Sequence, residues 1–187
     1  MALCGVEENR GKADGTIHSE SRGELQFTEY GLSGPVIFEV SRDACYGRGN
    51  WICKLDFLPD MDMETLRAEL LRRKNTSWNA EELLTGILHN RLGRVLTQNI
   101  GIKGAWKIAD LRDDEIHAVC HAVKNFEAVL TETMGMDAAQ VTAGGILTAE
   151  FDADTMESRR VSGLYACGEV LDIDGDCGGY NLQWAWS

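Results

Sequence analysis

The spacing of apolar residues along this chain changes character twice. Up to about Phe57 they alternate or cluster in short runs, ELQFTEY, PVIFEVS and WICKLDF, separated by glycine-containing turns. Runs of that length and pattern predict strands. In WICKLDF, Trp51, Cys53, Leu55 and Phe57 share one face, opposite Ile52, Lys54 and Asp56. That predicts an antiparallel strand with one wet side, as in a small barrel or sandwich. From Asp60 to Phe126 the spacing becomes helical. Met63, Leu66, Leu70 and Leu71 follow an acidic start and precede Arg72 and Arg73, a charge order that suits the helix dipole. A second helix is predicted from Asn79, with Glu82 three residues on as a capping box and Leu83, Leu84, Ile87, Leu88, Leu92 and Val95 as its buried stripe. A third begins near Asp110 and turns Ile116, Val119, Cys120 and Val123 inward. Three short amphipathic helices predict a small bundle. From Glu127 the pattern returns to strands and glycine turns: VLTETMG, AAQVTAGGI, LTAEF and GLYACGEV. GGYNLQWAWS then opens a helix that stops after about two turns, as if cut short. The fold class predicted is α+β.

Charge and cysteine usage narrow the picture. A net charge of −12 over 187 residues speaks against a nucleic-acid surface, because phosphate binding needs clustered Lys and Arg. No run of about 18 apolar residues predicts a membrane span, and MALCGVEENRGKADG lacks the basic and apolar blocks of a signal peptide. Cytoplasmic location is expected. The six cysteines include no CxxC pair, so reduced thiols are expected, and neither zinc nor a disulfide scaffold.

The candidate chemistry lies in Gly163–Ser187, GLYACGEVLDIDGDCGGYNLQWAWS. A short apolar run ends at Gly168-Glu169, an acidic turn follows, and Gly178-Gly179 lead into a helix. Glycines let backbone approach a ligand closely. The free N–H groups of a helix start face electron-rich atoms, as at the carboxyl end of an α/β strand. A flavin suits such a place, since its pyrimidine end gains negative charge on reduction. A strand–turn–helix crossover without ligand fits the same pattern. Asp172, Asp174 and Asp176 resemble the start of a calcium loop, but Cys177 and Gln183 stand where an EF-hand needs Gly and a bidentate Glu.

This segment resembles the flavin motif of the BaiN-like and aminoacetone oxidase-like FAD-dependent oxidoreductases, whose pattern GLYxxGExLDxxGxxGGYNLQWAW it follows to Ser187. VTAGGI with TMES (Val141–Ile146, Thr155–Ser158) and GELQFTEYGLSGPVIFEVSR (Gly23–Arg42) match two further blocks of that family in the same order. The resemblance implies a Rossmann-like FAD domain interrupted by an inserted antiparallel β-barrel and helical bundle. It divides this chain into barrel insert (1–58), helical insert (59–126), return strand (127–140) and an incomplete C-terminal part of the FAD domain (141–187). It implies FAD as cofactor, with either NAD(P)H as electron donor to a small organic acceptor or a small amine as the substrate oxidised, and, as partner, an N-terminal FAD-binding half that is absent here, since the chain has no GxGxxG. On that reading the fragment alone is colourless and inactive.

The resemblance also implies site residues. Gly168 and Glu169 would lie by the pyrophosphate and ribityl chain. Gly178, Gly179, Tyr180, Asn181, Leu182 and Gln183 would face the flavin pyrimidine edge. Gly144 and Gly145 would allow approach beside the ring. Many members carry His where this chain has Glu29, so no proton-transfer role, and no catalytic residue, is assigned. The remaining temptations have plainer readings: His117 and His121 as a wet helix face, Trp184 and Trp186 as buried anchors, Cys167 and Cys177 as free thiols, and Ser33 as part of a turn. The competing function is a self-standing binding module with no flavin chemistry.

Overall fold

The computed structural model describes residues 2–9, 17–46 and 50–187. Its centre is a four-stranded antiparallel sheet built from β1 (Ala2–Asn9), β2 (Ile17–Gly23), β5 (Asn50–Asp56) and β6 (Phe126–Leu130), in the order β2-β1-β5-β6. A separate hairpin pairs β3 (Gln26–Thr28) with β4 (Gly31–Ser33), so Ser33 ends a strand and the turn follows at Gly34. As the alternation in WICKLDF requires, Trp51, Cys53, Leu55 and Phe57 are all buried, while Ile52, Lys54 and Asp56 are not.

PVIFEVS is a helix rather than a strand: α1 spans Pro35–Tyr46. Val36 and Val40, four apart, are both buried, whereas Phe38, which strand alternation would place beside Val36, is 39% exposed. Gly34 turns the chain at φ +100°, and Pro35 takes the first helical position, where its missing N–H costs nothing. The helix lies against β1 and β2, with Val36 over Gly23.

The helical region holds three α-helices: α2 (Met63–Arg73), α3 (Asn90–Asn99) and α4 (Asp113–Lys124). The Asp62 carboxylate accepts the Thr65 N–H at 2.6 Å and caps α2. In α4, the inward residues Ile116, Val119, Cys120 and Val123 are all buried, as their spacing predicts. The second predicted helix is broken in two. The Glu82 carboxylate does accept the Asn79 N–H, at 3.0 Å. Only a 3-10 turn follows, however (Ala80–Glu82), and the chain reverses at Gly86, φ +77°, before α3 begins at Asn90. Leu83 and Leu84 are buried by that turn, Val95 is 43% exposed, and Leu96 takes the inward place on α3.

Beyond β6, the runs AAQVTAGGI, LTAEF and GLYACGEV are not regular strands. They meet only at isolated bridges: Ile146 with Leu171, Phe151 with Ser158 and Glu157 with Tyr165. A strand is held by a ladder of neighbours, and these segments have one bridge each. The last helix, α5 (Tyr180–Trp186), is present, but Trp186 is 88% exposed and is no buried anchor. Among the described residues no helix is long and apolar enough to cross a membrane.

Candidate functional site

The glycine-rich motifs converge. The Ile146 N–H donates to the Val170 carbonyl at 2.9 Å, and the Asp172 N–H donates to the Ile146 carbonyl at 2.9 Å, a parallel bridge that joins VTAGGI to GEVLD. Gly145 makes that approach feasible. A Cβ there would stand 2.7–2.8 Å from the Val170 oxygen, the Asp172 nitrogen and the Leu171 carbon, closer than any side chain tolerates. Gly144 sits beside it, facing open space. Gly168 and Glu169 form a 3-10 turn with Val170, and the turn packs against α5 near Ala185. Glu169 is exposed, and no described residue pairs with its carboxylate.

The acidic turn between these elements is pinned at both ends. The Asn181 Oδ1 accepts the Gly175 N–H at 2.8 Å, and its Nδ2 donates to the Gly175 carbonyl at 3.1 Å. Asn181 therefore shapes the loop with its amide rather than leaving it free for a ligand. From the other side, α1 supplies two contacts. The Glu39 carboxylate accepts the Cys177 N–H, and Arg42 pairs with Asp174 at 3.0 Å. Glu39 and Arg42 were missed in the sequence because they matter only once PVIFEVSR is a helix, where i and i+3 face the same neighbour. Gly179 (φ +92°) starts α5 and leaves open space in front of it. Tyr180 and Leu182 are exposed, and the Gln183 side chain donates back to Ser187 at 3.3 Å.

Between β2, α1 and this turn lies an open cleft of about 460 Å³, lined by Ser19, Glu20, Ser21, Glu39, Val40, Asp176, Cys177 and Tyr180. The TMES hairpin beside the site is tightly tied. The Asp152 Oδ1 accepts the Asp154 and Thr155 N–H groups, each at 3.1 Å, and these bonds hold its carboxyl below the usual range. The Glu157 carboxylate accepts the Gly163 N–H at 2.7 Å. Among the described residues no group of three His, Cys, Asp or Glu side chains is placed to hold a metal ion. Cys4, Cys53, Cys120, Cys167 and Cys177 are free thiols; the side chain of Cys45 lies outside the described ones.

The residues present fit one end of a flavin dinucleotide. Open space in front of Gly144 and Gly179, unpaired first-turn N–H groups of α5 and a free carboxylate at Glu169 offer donors and an acceptor for a planar polar ring and its hydroxylated chain. Nothing of the glycine fingerprint for a pyrophosphate is in the sequence.

Two family models cover the chain: the HI0933-like protein barrel and H2TH domain over residues 4–141, and the HI0933-like protein Rossmann domain over residues 105–187. The chain belongs to the HI0933-like family. It is a family of FAD-dependent oxidoreductases, and the α+β architecture above is its barrel, helical and partial Rossmann parts. Among similar members, a 3-dehydro-bile acid delta(4,6)-reductase of Clostridium scindens is 38% identical over 91% of this chain and 43% of its own length. The ribosomal RNA dihydrouridine synthase of Escherichia coli is 36% identical over 93% of this chain and 42% of its own. Its namesake in Haemophilus influenzae is 35% identical over 88% and 40%. The chain thus spans less than half the length of these curated relatives.

Proposed function

We propose that this chain is part of a cytoplasmic FAD-dependent reductase, driven by NAD(P)H, that saturates a carbon–carbon double bond conjugated to a carbonyl in a small ring-shaped substrate. The observation that carries the proposal is the bridge of VTAGGI to GEVLD beside the glycine start of α5, in a chain of an FAD-dependent oxidoreductase family. The relatives' names supply the reaction class. A delta(4,6)-reduction next to a 3-dehydro carbon and the conversion of uridine to dihydrouridine both add a hydride and a proton to a ring double bond conjugated with a carbonyl. Bound FAD supplies that hydride.

The chain's own residues bind and orient. The N–H groups at Tyr180–Leu182 would meet the pyrimidine edge and would favour negative charge there. Glu169 would accept from ribityl hydroxyls, a role that suits a carboxylate better than a place beside phosphate does. Gly144 keeps a side chain out of the open space the ring would take, and Gly145 lets the GEVLD backbone close beside it. The exposed apolar residues Tyr165, Val170, Leu182 and Trp186 receive the dinucleotide-binding half of the same protein.

A second reading, ribosomal RNA as substrate, is favoured by the two dihydrouridine synthases. The net charge of −12 opposes it, and we favour the small molecule. The deciding experiment begins with the visible spectrum of the full-length protein purified without added cofactor. Flavin bands are expected. A spectrum that stays flat after incubation with FAD overturns the flavin reading and leaves the binding module. NAD(P)H consumption with a conjugated cyclic enone, set against the dihydrouridine content of ribosomal RNA from cells lacking the gene, then separates the two substrates. Glu169→Ala is expected to lower flavin content several-fold; unchanged content removes the ribityl role.

A further inference from the structure

The core of the sheet holds two thiols for which the proposed reaction has no use. Along the β1–β5 ladder, Cys4 stands opposite Leu55 and Cys53 opposite Val6, so the two cysteines are diagonal neighbours on the same buried face. Both are fully buried within one apolar cluster that includes Ala2, Trp51 and Leu55. Their Sγ atoms lie 2.9 Å apart, nearer than non-bonded sulfurs normally approach. The other described cysteines are arranged differently: Cys120 is buried in α4, while Cys167 and Cys177 are exposed near the glycine turns. Among the described cysteines, only the first pair combines adjacency, burial and a long separation in sequence, 49 residues.

We infer that Cys4 and Cys53 are a reversible redox staple, which closes to a disulfide between β1 and β5 when the protein meets a peroxide. One of the two sulfurs attacks one oxygen of hydrogen peroxide; the O–O bond breaks, water leaves, and that cysteine becomes a sulfenic acid. The other sulfur, 2.9 Å away, then attacks it; the S–O bond breaks, a second water leaves, and the S–S bond forms. The two thiols lose two electrons and two protons, and the peroxide becomes two waters. A dithiol reverses the step by exchange. Either thiol can donate to the other, and burial opposes ionisation of both. Because both sulfurs are sealed in the core, oxidation proceeds through openings of β1, and the closed staple then suppresses those openings.

The test uses the whole chain, treated with hydrogen peroxide, quenched in acid, alkylated under denaturing conditions without reductant and mapped by mass spectrometry. A peptide pair joined through Cys4 and Cys53 is expected, with a rise in Tm of about 5–10 °C that dithiothreitol abolishes. Cys4→Ala and Cys53→Ala are each expected to remove both signals. The mass map of the unsubstituted chain stands even if a variant folds poorly. Recovery of both cysteines as alkylated thiols at a dose that oxidises Cys167 and Cys177 overturns the inference. So does a cross-link to any other cysteine, and a Cys4–Cys53 link that leaves Tm unchanged overturns the stapling role.

Discussion

Lys124 ties the helical region to the sheet. Its ammonium lies 2.6 Å from the Asp56 carboxylate and donates to the carbonyl oxygens of Leu58 and Met61 at 2.7 and 2.6 Å. Both side chains of the ion pair are largely buried, at 12% and 18% exposure. Removing one partner of such a pair leaves the other charged and undersatisfied. Lys124→Met is therefore expected to cost about 2–4 kcal/mol, read as a lower midpoint in urea at unchanged slope. At the same scale, the glycines of the candidate site are visible in the sequence because only glycine admits the backbone contacts that Gly145 makes. The roles of Glu39 and Arg42 are not visible, since an acidic and a basic residue three apart mean nothing until they share a helix face and the turn at Asp174–Cys177 is brought to them.

Individual elements show where periodicity is a sound guide and where it misleads. WICKLDF alternates over seven residues and α4 repeats over twelve, and both form as the pattern requires. PVIFEVS has apolar residues at positions consistent with either period, and packing of Val36 and Val40 on β2 decides for the helix. The stripe from Leu83 to Val95 looks continuous, but Gly86 at φ +77° breaks it. Here the sign of a substitution is diagnostic. Gly86→Ala is expected to destabilise by about 1–2 kcal/mol, because alanine resists positive φ. In a continuous helix the same change would stabilise, so a rise in Tm would overturn the break. The caps and pairs also set an acid limit. Thr65 lowers the pKa of Asp62, Arg72 and then Arg73 lower that of Glu69, and Thr155 lowers that of Asp152. Their contribution is present above the ordinary carboxylate range and is lost as pH falls through the lowered values. Relief of repulsion among the excess acids acts the other way as they begin to protonate. Tm is therefore expected to hold from neutrality to about pH 5 and to fall below about pH 4, as a thermal melt series would record.

At the scale of the whole molecule, the core is unevenly distributed. The sheet, α1 and the helical region share one buried cluster, whereas from residue 131 onward only Phe151 and Leu171 are buried among the large apolar side chains. Tyr180 and Leu182 are 66% and 63% exposed, with Trp186 beside them, an apolar patch of the kind that marks an interface. Leu182→Asp in this chain is expected to leave the melting of the sheet and helical core unchanged while reducing self-association in light scattering. In the full-length protein it is expected to reduce flavin retention. The sequence by itself determined the α+β class, the wet and dry faces of β5, the inward face of α4 and the three motif blocks in order, because each of these is a local pattern of period, cap or glycine. Only the tertiary structure decided that PVIFEVSR is a helix steadying the acidic turn, that Asn181 holds Gly175, and that Cys4 touches Cys53 across 49 residues. Those contacts join segments far apart in the chain, and their energies exist only after the backbone has brought them together.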